Sequence, residues 1–311
     1  MRNFQWYFTL QKKLNYAELS KSINMISYNP KEWFTFIFRF HKADTFRSLL
    51  PLISGISLYC AIIVYFICDY FNLTDSDHLK NITIMHTMLG FVISLLLVFR
   101  TNTAYDRWWE GRKQWGSLVN NSRNLALKLS AILTEKEDKI FFKKIIPYYA
   151  HALNLHLKNR NISQELFEEY NINVDLKKHK PNQVAKLLFK KINEIYLSKK
   201  ITGEQLLYIN IEITSFTDIC GACERIKNTP IPFSYSVFIK KFIFFYVMTL
   251  PIGYAFILGY YTIPVVIFIL YVLASLELIA EEIEEPFGND QNDLPTEIIA
   301  ENIKKNIDEI L

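Results

Sequence analysis

The sequence predicts an all-α integral membrane protein, with four transmembrane helices per chain and a helical cytosolic domain between the second and the third. Three observations carry this. Hydrophobic residues make up 50% of the 311 and aromatics 15%, yet charged residues still make up 21%. A mean hydropathy of +0.09 therefore averages over a chain that alternates apolar and charged stretches. Four stretches are long and apolar enough to cross a bilayer, which takes about 20 residues. Between the second and third of them apolar residues recur at helical spacing, and nowhere does a two-residue alternation persist. The composition also excludes several classes. A disordered chain needs low hydrophobicity, and four Cys with nine Gly exclude disulfide scaffolds and collagen-like rods. A net charge of +4, from bases spread along the chain, gives no argument for nucleic acid.

The first span is expected over Leu49–Phe66, which holds no charge and stays apolar to Cys68 before Asp69 ends it. The second, Ile82–Phe99, carries only His86 and closes at Arg100. The third, Phe242–Tyr261, is free of charge and follows Lys240 and Lys241. The fourth starts at Thr262, carries Glu277 as its one charge, and ends in the acidic run Glu281–Glu285. No such run lies near residue 1, so no cleavable signal peptide is expected.

Lys and Arg set the orientation. The loop from Asp69 to Asn81 has one Lys and the turn at Tyr260–Thr262 has no charge, whereas the N-terminal stretch, the middle region and the tail carry many. Both termini and the middle region are thus expected on the cytosolic side. Sequons at Asn72 and Asn81 carry no weight, because such matches are common by chance. The expected organisation is a cytosolic or interfacial segment 1–47, two spans within 48–99, a helical cytosolic domain 100–240, two spans within 241–281, and a cytosolic C-terminal segment 282–311. Within the middle region Val184, Leu187, Leu188, Ile192, Ile195 and Tyr196 recur at helical spacing, with Lys186, Lys190, Lys191 and Glu194 on the other side. Ile140–Leu157 and Gly203–Ile226 read the same way.

Catalytic chemistry is hard to build from this inventory, and the chain is read as no enzyme. Cys220 and Cys223 form a CxxC, but inside a helical pattern and without a second ligand pair they read as two buried thiols one turn apart. His151 and His156 have the wrong spacing for two ligands on one helical face, so no metal site is expected there. No phosphate-cradling or nucleophile-elbow motif is present, and no cofactor is implied.

The most unusual stretch, Phe99-Arg100-Thr101-Asn102-Thr103-Ala104-Tyr105-Asp106-Arg107-Trp108-Trp109-Glu110, runs from hydrocarbon into water with no helix breaker. Trp108, Trp109 and Trp115 suit interfacial anchors, although anchoring leaves the packed ionisable groups unexplained. The segment Phe91–Ala126 that holds this stretch resembles the bestrophin family, in its bacterial branch. Two further segments agree in order and spacing: Cys223–Tyr235 (CERIKNTPIPFSY) and Glu281–Pro295 (EEIEEPFGNDQNDLP).

The resemblance implies a homopentameric ion channel with one central pore, passing monovalent ions such as sodium. It implies a pore neck at Phe91, Leu95 and Phe99. Their i, i+4, i+8 spacing puts them on one helical stripe, which on spacing alone suits a lipid-facing or packed stripe equally well. It also implies a cytosolic aperture upstream of the CERI segment. Counting back without gaps places Glu204 there, a departure from the family's aliphatic residue; a small gap would place Ile201 or Ile209 instead. The run of acids that serves as a calcium clasp in animal members retains only Asp290 and Asp293, and calcium wants six to eight oxygens. Calcium gating is therefore not expected, and the bacterial branch implies cation permeation although the family is labelled a chloride channel. The expected partners are further copies of the chain and the lipid bilayer. A secondary transporter is the competing class, with slight support from Pro251 and Pro264 within apolar runs. A membrane-bound sensor comes third.

Overall fold

The computed structural model describes residues 45–71, 77–160, 170, 175 and 178–311. The sequon at Asn72, and all but the last three residues of the expected segment 1–47, lie outside them. Among the described residues the elements are helical, and no strand occurs. In chain order they are α1 (Thr45–Tyr65), α2 (Asp77–Ile132), α3 (Lys136–Leu157), α4 (Lys180–Leu197), α5 (Gly203–Asn228), α6 (Phe233–Leu258), α7 (Thr262–Glu284) and α8 (Thr296–Ile310). The chain divides into two compact units. Trp109–Thr229 and Pro286–Leu311 belong to one; Pro230–Glu285 and the described residues up to Trp108 belong to the other.

The apolar unit is built from α1, the first part of α2, α6 and α7. Hydrocarbon offers backbone groups no partner, so each apolar segment satisfies its own N–H and C=O groups as helix. Among the described residues, three helical stretches are long and apolar enough to cross a membrane: Thr45–Tyr70, Ile82–Ile132 and Phe233–Glu284. The sequence predicts four spans, and the difference lies in the last stretch, which is 52 residues long. It is interrupted by a tight turn at Gly259–Tyr261, where Gly259 has φ +53°. That left-handed backbone is strained for any residue with a Cβ, which accounts for glycine at this point. The two arms, α6 and α7, pack against each other, and at 26 and 23 residues each is long enough to cross by itself. Ile53, Cys60 and Val64 of α1, Ile93 and Leu97 of α2, Val247 and Leu250 of α6, and Val266 and Leu270 of α7 share one core.

In the other unit α4 buries Val184, Leu188, Ile192 and Ile195 and exposes Lys186, Lys190 and Glu194 as expected, but Leu187 and Lys191 are half-buried and Tyr196, near the end of the helix, is exposed. A capping box starts α5, in which Thr202 accepts from the Gln205 N–H and the Gln205 side chain accepts from the Thr202 N–H. The carboxylate of Asp138 in α3 holds Lys191 of α4 at 2.6 Å and Lys200 at 2.9 Å. Burial alone would raise this carboxyl, but the hydrogen bonds from the two lysines outweigh it and hold the group below its ordinary value. The C-terminal helix α8 packs its Ile299, Ala300, Ile303 and Ile307 face on α3, and Thr296 donates to the Asn154 side-chain oxygen at 2.6 Å. Trp115 departs from the interfacial-anchor expectation. It is fully buried, because its position on α2 faces the helical core and not a lipid headgroup layer. Cys220 and Cys223 are buried thiols as expected, and burial pushes Cys220 up to about 12.

Close approach of α2 and α6 depends on Gly253. A Cβ there would lie 2.7 Å from His86 Nδ1 and 2.8 Å from its Cε1. The imidazole is buried and tied to Thr249 at 3.0 Å, so it cannot retreat cheaply. Gly253→Ala should cost about 1–3 kcal/mol by overpacking. Adding His86→Ala should recover part of that loss, so thermal melts of the four proteins in detergent should give a non-additive cycle.

Candidate functional site

The residues expected to carry the site fall in three groups, and the first is on α2. Phe91, Leu95 and Phe99 follow one another on a single stripe, and the chain leaves them 72%, 46% and 56% exposed. The other side of the same helix is closed. His86, Ile93, Leu97, Arg100 and Ala104 are all at most 3% exposed. The rotational setting of α2 within its unit therefore decides which stripe is left bare.

That setting is held by polar contacts at the end of the apolar run. Arg100 is 1% exposed and pairs with Glu284 Oε2 at 2.7 Å and with Glu277 Oε2 at 3.5 Å, both carboxylates coming from α7. The other carboxylate oxygen of Glu284 accepts the Ile231 N–H at 2.7 Å, and its backbone carbonyl accepts Arg107 Nε at 3.1 Å. The three sequence segments singled out above thus meet at one buried ion cluster, through Arg100, Ile231 and Glu284. Higher on the helix, Thr83 donates to the Gly253 carbonyl at 3.3 Å and Tyr235 to the Leu96 carbonyl at 3.5 Å.

The second group lies on α5. Glu204 sits in the first turn of this helix and is exposed. A hydrogen bond from the Thr202 side chain, joined by one from Glu204's own backbone N–H, holds its carboxyl below the ordinary value. The alternative aperture residues are buried, Ile201 at 5% and Ile209 at 0% exposed. Both fill the core of their own unit, so neither is available to line an opening. Leu207 and Ile211, to which sequence reasoning assigned no role, are 70% and 65% exposed on the Glu204 side of the helix. Large apolar residues on the polar face of an otherwise amphipathic helix were the available signal.

The third group is the loop after α7. Leu294 N–H donates to the Pro286 carbonyl at 2.9 Å and closes the loop on itself. It seats against α2 at Gly111, where an added Cβ would meet Phe287, Leu294 and Pro286 at 3.1–3.2 Å. The Asp290 N–H donates to Asp293 Oδ2 at 2.5 Å. Cationic side chains are already on the loop's neighbours: Arg160 donates to the Asn289 side-chain oxygen, and Lys158 and Arg160 reach Glu297 at 3.0 and 3.3 Å.

One convergence was invisible to local spacing. His156 is paired not with His151 but with His179, and both Nε2 atoms lie 2.6 Å from Glu224 Oε1. Burial alone would raise the Glu224 carboxyl, but the hydrogen bonds from His179 and His156 hold it below its ordinary value. Burial lowers His156, partly offset by the bond to Glu224.

Comparison with known proteins agrees with the fold. Residues 25–309 match the bacterial/fungal bestrophin protein family. The voltage-dependent anion channel-forming protein of Nostoc sp. is 39% identical over 71% of this chain and 75% of its own length. That of Escherichia coli K12 is 30% identical over 70% of this chain and 73% of its own. A crystal structure of a bacterial bestrophin homologue from Klebsiella pneumoniae superposes with a TM-score of 0.76 at 24% identity, covering 84% of this chain and 98% of that one.

Removing Arg100 would leave two buried carboxylates without their cation. Arg100→Met should therefore cost about 3–5 kcal/mol, read as a lowered melting midpoint in detergent. Adding Glu277→Gln and Glu284→Gln should restore part of it. A midpoint unmoved by Arg100→Met would mean that the cluster does not hold α2. The match over residues 25–309 and the 39% identity to the Nostoc protein identify the chain as a member of the bacterial/fungal bestrophin family.

Proposed function

We propose that this chain is the subunit of a homopentameric ion channel of the bacterial inner membrane, with Phe91, Leu95 and Phe99 forming the neck of a central pore. The observation that carries the proposal is the bare stripe on α2. Two phenylalanines and a leucine at i, i+4, i+8 stay exposed while the opposite face of the helix is closed. Repeated about an axis, the stripe gives three stacked apolar rings. Such rings gate by dewetting, because an ion crossing them sheds water and gains no ligand. The relatives' names, which describe channel-forming proteins, support the ion-channel reading. In the topology that goes with it, α1, the apolar part of α2, α6 and α7 each cross once, and both termini are cytosolic.

Cation permeation is the preferred selectivity. The neck stripe carries no charge, and the exposed Glu204 carboxylate, held ionised at neutral pH, is the aperture candidate. Five such groups would draw cations. The description of these relatives as anion channel-forming proteins favours a second reading, an anion pore. On either reading calcium does not gate. Asp290 and Asp293 hydrogen-bond within their own loop, and Arg160 occupies the side-chain oxygen of Asn289. Together they offer too few anionic oxygens for calcium.

Reversal potentials in an asymmetric bilayer, with sodium and chloride gradients varied separately, test the selectivity. The expected potential follows sodium and moves toward zero in Glu204→Gln; a potential that follows chloride establishes the anion reading. Conductance tests the neck. Leu95→Ala with Phe99→Ala should raise it at unchanged oligomer mass, and an unchanged conductance in an intact pentamer would place the limiting constriction elsewhere.

A further inference from the structure

We propose that His156, His179 and Glu224 form a binding site for a divalent transition-metal ion of the zinc type. The ligand atoms come from three separate places in one unit: the last turn of α3, the residue capping the start of α4, and the C-terminal part of α5. All three lie within 4.8 Å of one another. The two imidazole rings are 4.3 Å apart, centre to centre, and both point their Nε2 atoms at the same carboxylate oxygen.

The donor set selects the metal. Two imidazole nitrogens and one carboxylate oxygen are the three protein ligands of an open zinc site, with water in the fourth position. Calcium and magnesium prefer an all-oxygen shell and are poorly served here. Zinc, cobalt and nickel take imidazole readily. Access is available as well, since the three side chains are 27%, 32% and 29% exposed. Bonds of about 2.0–2.1 Å in a tetrahedral site put the ligand atoms roughly 3.3 Å apart. The 2.6 Å contacts to Glu224 therefore open by less than 1 Å to admit the ion. The neighbouring Lys227 ammonium is directed elsewhere, donating to the His156 carbonyl at 3.2 Å and to the Asn159 side chain at 2.6 Å.

Binding has one local cost. His179 Nδ1 accepts the Asn182 N–H at 3.2 Å and so caps α4. Coordination through Nε2 moves the ring proton to Nδ1, and that cap is lost. Metal and cap compete, which makes the site a moderate and reversible one. Its effect is to staple the ends of α3, α4 and α5, a constraint that no part of the channel proposal requires.

The test uses the full-length protein in detergent, stripped with chelator and titrated with zinc chloride, then with cobalt chloride. We expect one zinc per chain above background, a melting midpoint that rises with zinc, and the visible absorption of four-coordinate cobalt. Glu224→Gln keeps an acceptor for both imidazoles, so it should fold like the parent while its zinc affinity falls at least tenfold. His179→Ala should remove the cobalt spectrum. Equal zinc affinity and an equal cobalt spectrum in parent and Glu224→Gln would overturn the proposal, as would the absence of saturable binding to the parent. Because the readouts are metal content, melting and absorption, failure here leaves the channel reading untouched, and the converse also holds.

Discussion

A buried arginine sets the angle at which α2 lies against its neighbours. Arg100 stands at the boundary between the apolar run of the helix and its polar continuation, where solvent cannot carry its charge. Its charge is balanced only if Glu284 and Glu277 of α7 face it, and Glu284 in turn takes the Ile231 N–H. Replacing a buried cluster of this kind by well-packed apolar residues often costs nothing. Its value is therefore in register, not in net stability. Turning α2 by one residue would swing Arg100 about 100° away from both carboxylates and bury a different stripe. With Arg100, Leu97 and Ile93 turned inward, Phe91, Leu95 and Phe99 must face out.

An outward stripe of that kind is costly in a chain by itself. Water against three large apolar side chains forfeits about 25 cal/mol for every Å² they could bury. Lipid would relieve this for any of them, as it would for the exposed Met88, Val92 and Val98 of the same helix; the proposed neck rests on the i, i+4, i+8 spacing together with a helix that runs on without a break for 56 residues. A symmetric assembly uses both features, since one continuous helix per subunit carries rings at fixed spacing around one axis.

Much of this was legible in the residues. The absence of Pro and Gly breakers between Phe91 and Glu110 foretold that the second span would continue as helix into water. The 3.6-residue period of Val184, Leu188, Ile192 and Ile195 foretold α4 and its buried face. What could not be read depended on tertiary placement. Trp115 resembles an interfacial anchor until its helix face is known. Ile201 and Ile209 pass as aperture residues until they are seen in the core. His179 and Glu224 are far from His156 in sequence, so a search for ligands one helical turn apart was bound to miss them. The turn at Gly259–Tyr261 falls where the sequence places the break between its third and fourth spans, at Tyr260–Thr262, although no charge marks it.

The most direct test of the central claim asks which face of α2 meets its symmetry mates. In a cysteine-free background, Leu95→Cys should form disulfide-linked dimers rapidly when the membrane-embedded protein is treated with a mild oxidant, because equivalent side chains ring one axis. Ile93→Cys, buried against its own unit, should not. Cross-linking at residue 93 but not at residue 95, in an assembly of unchanged mass, would contradict the account.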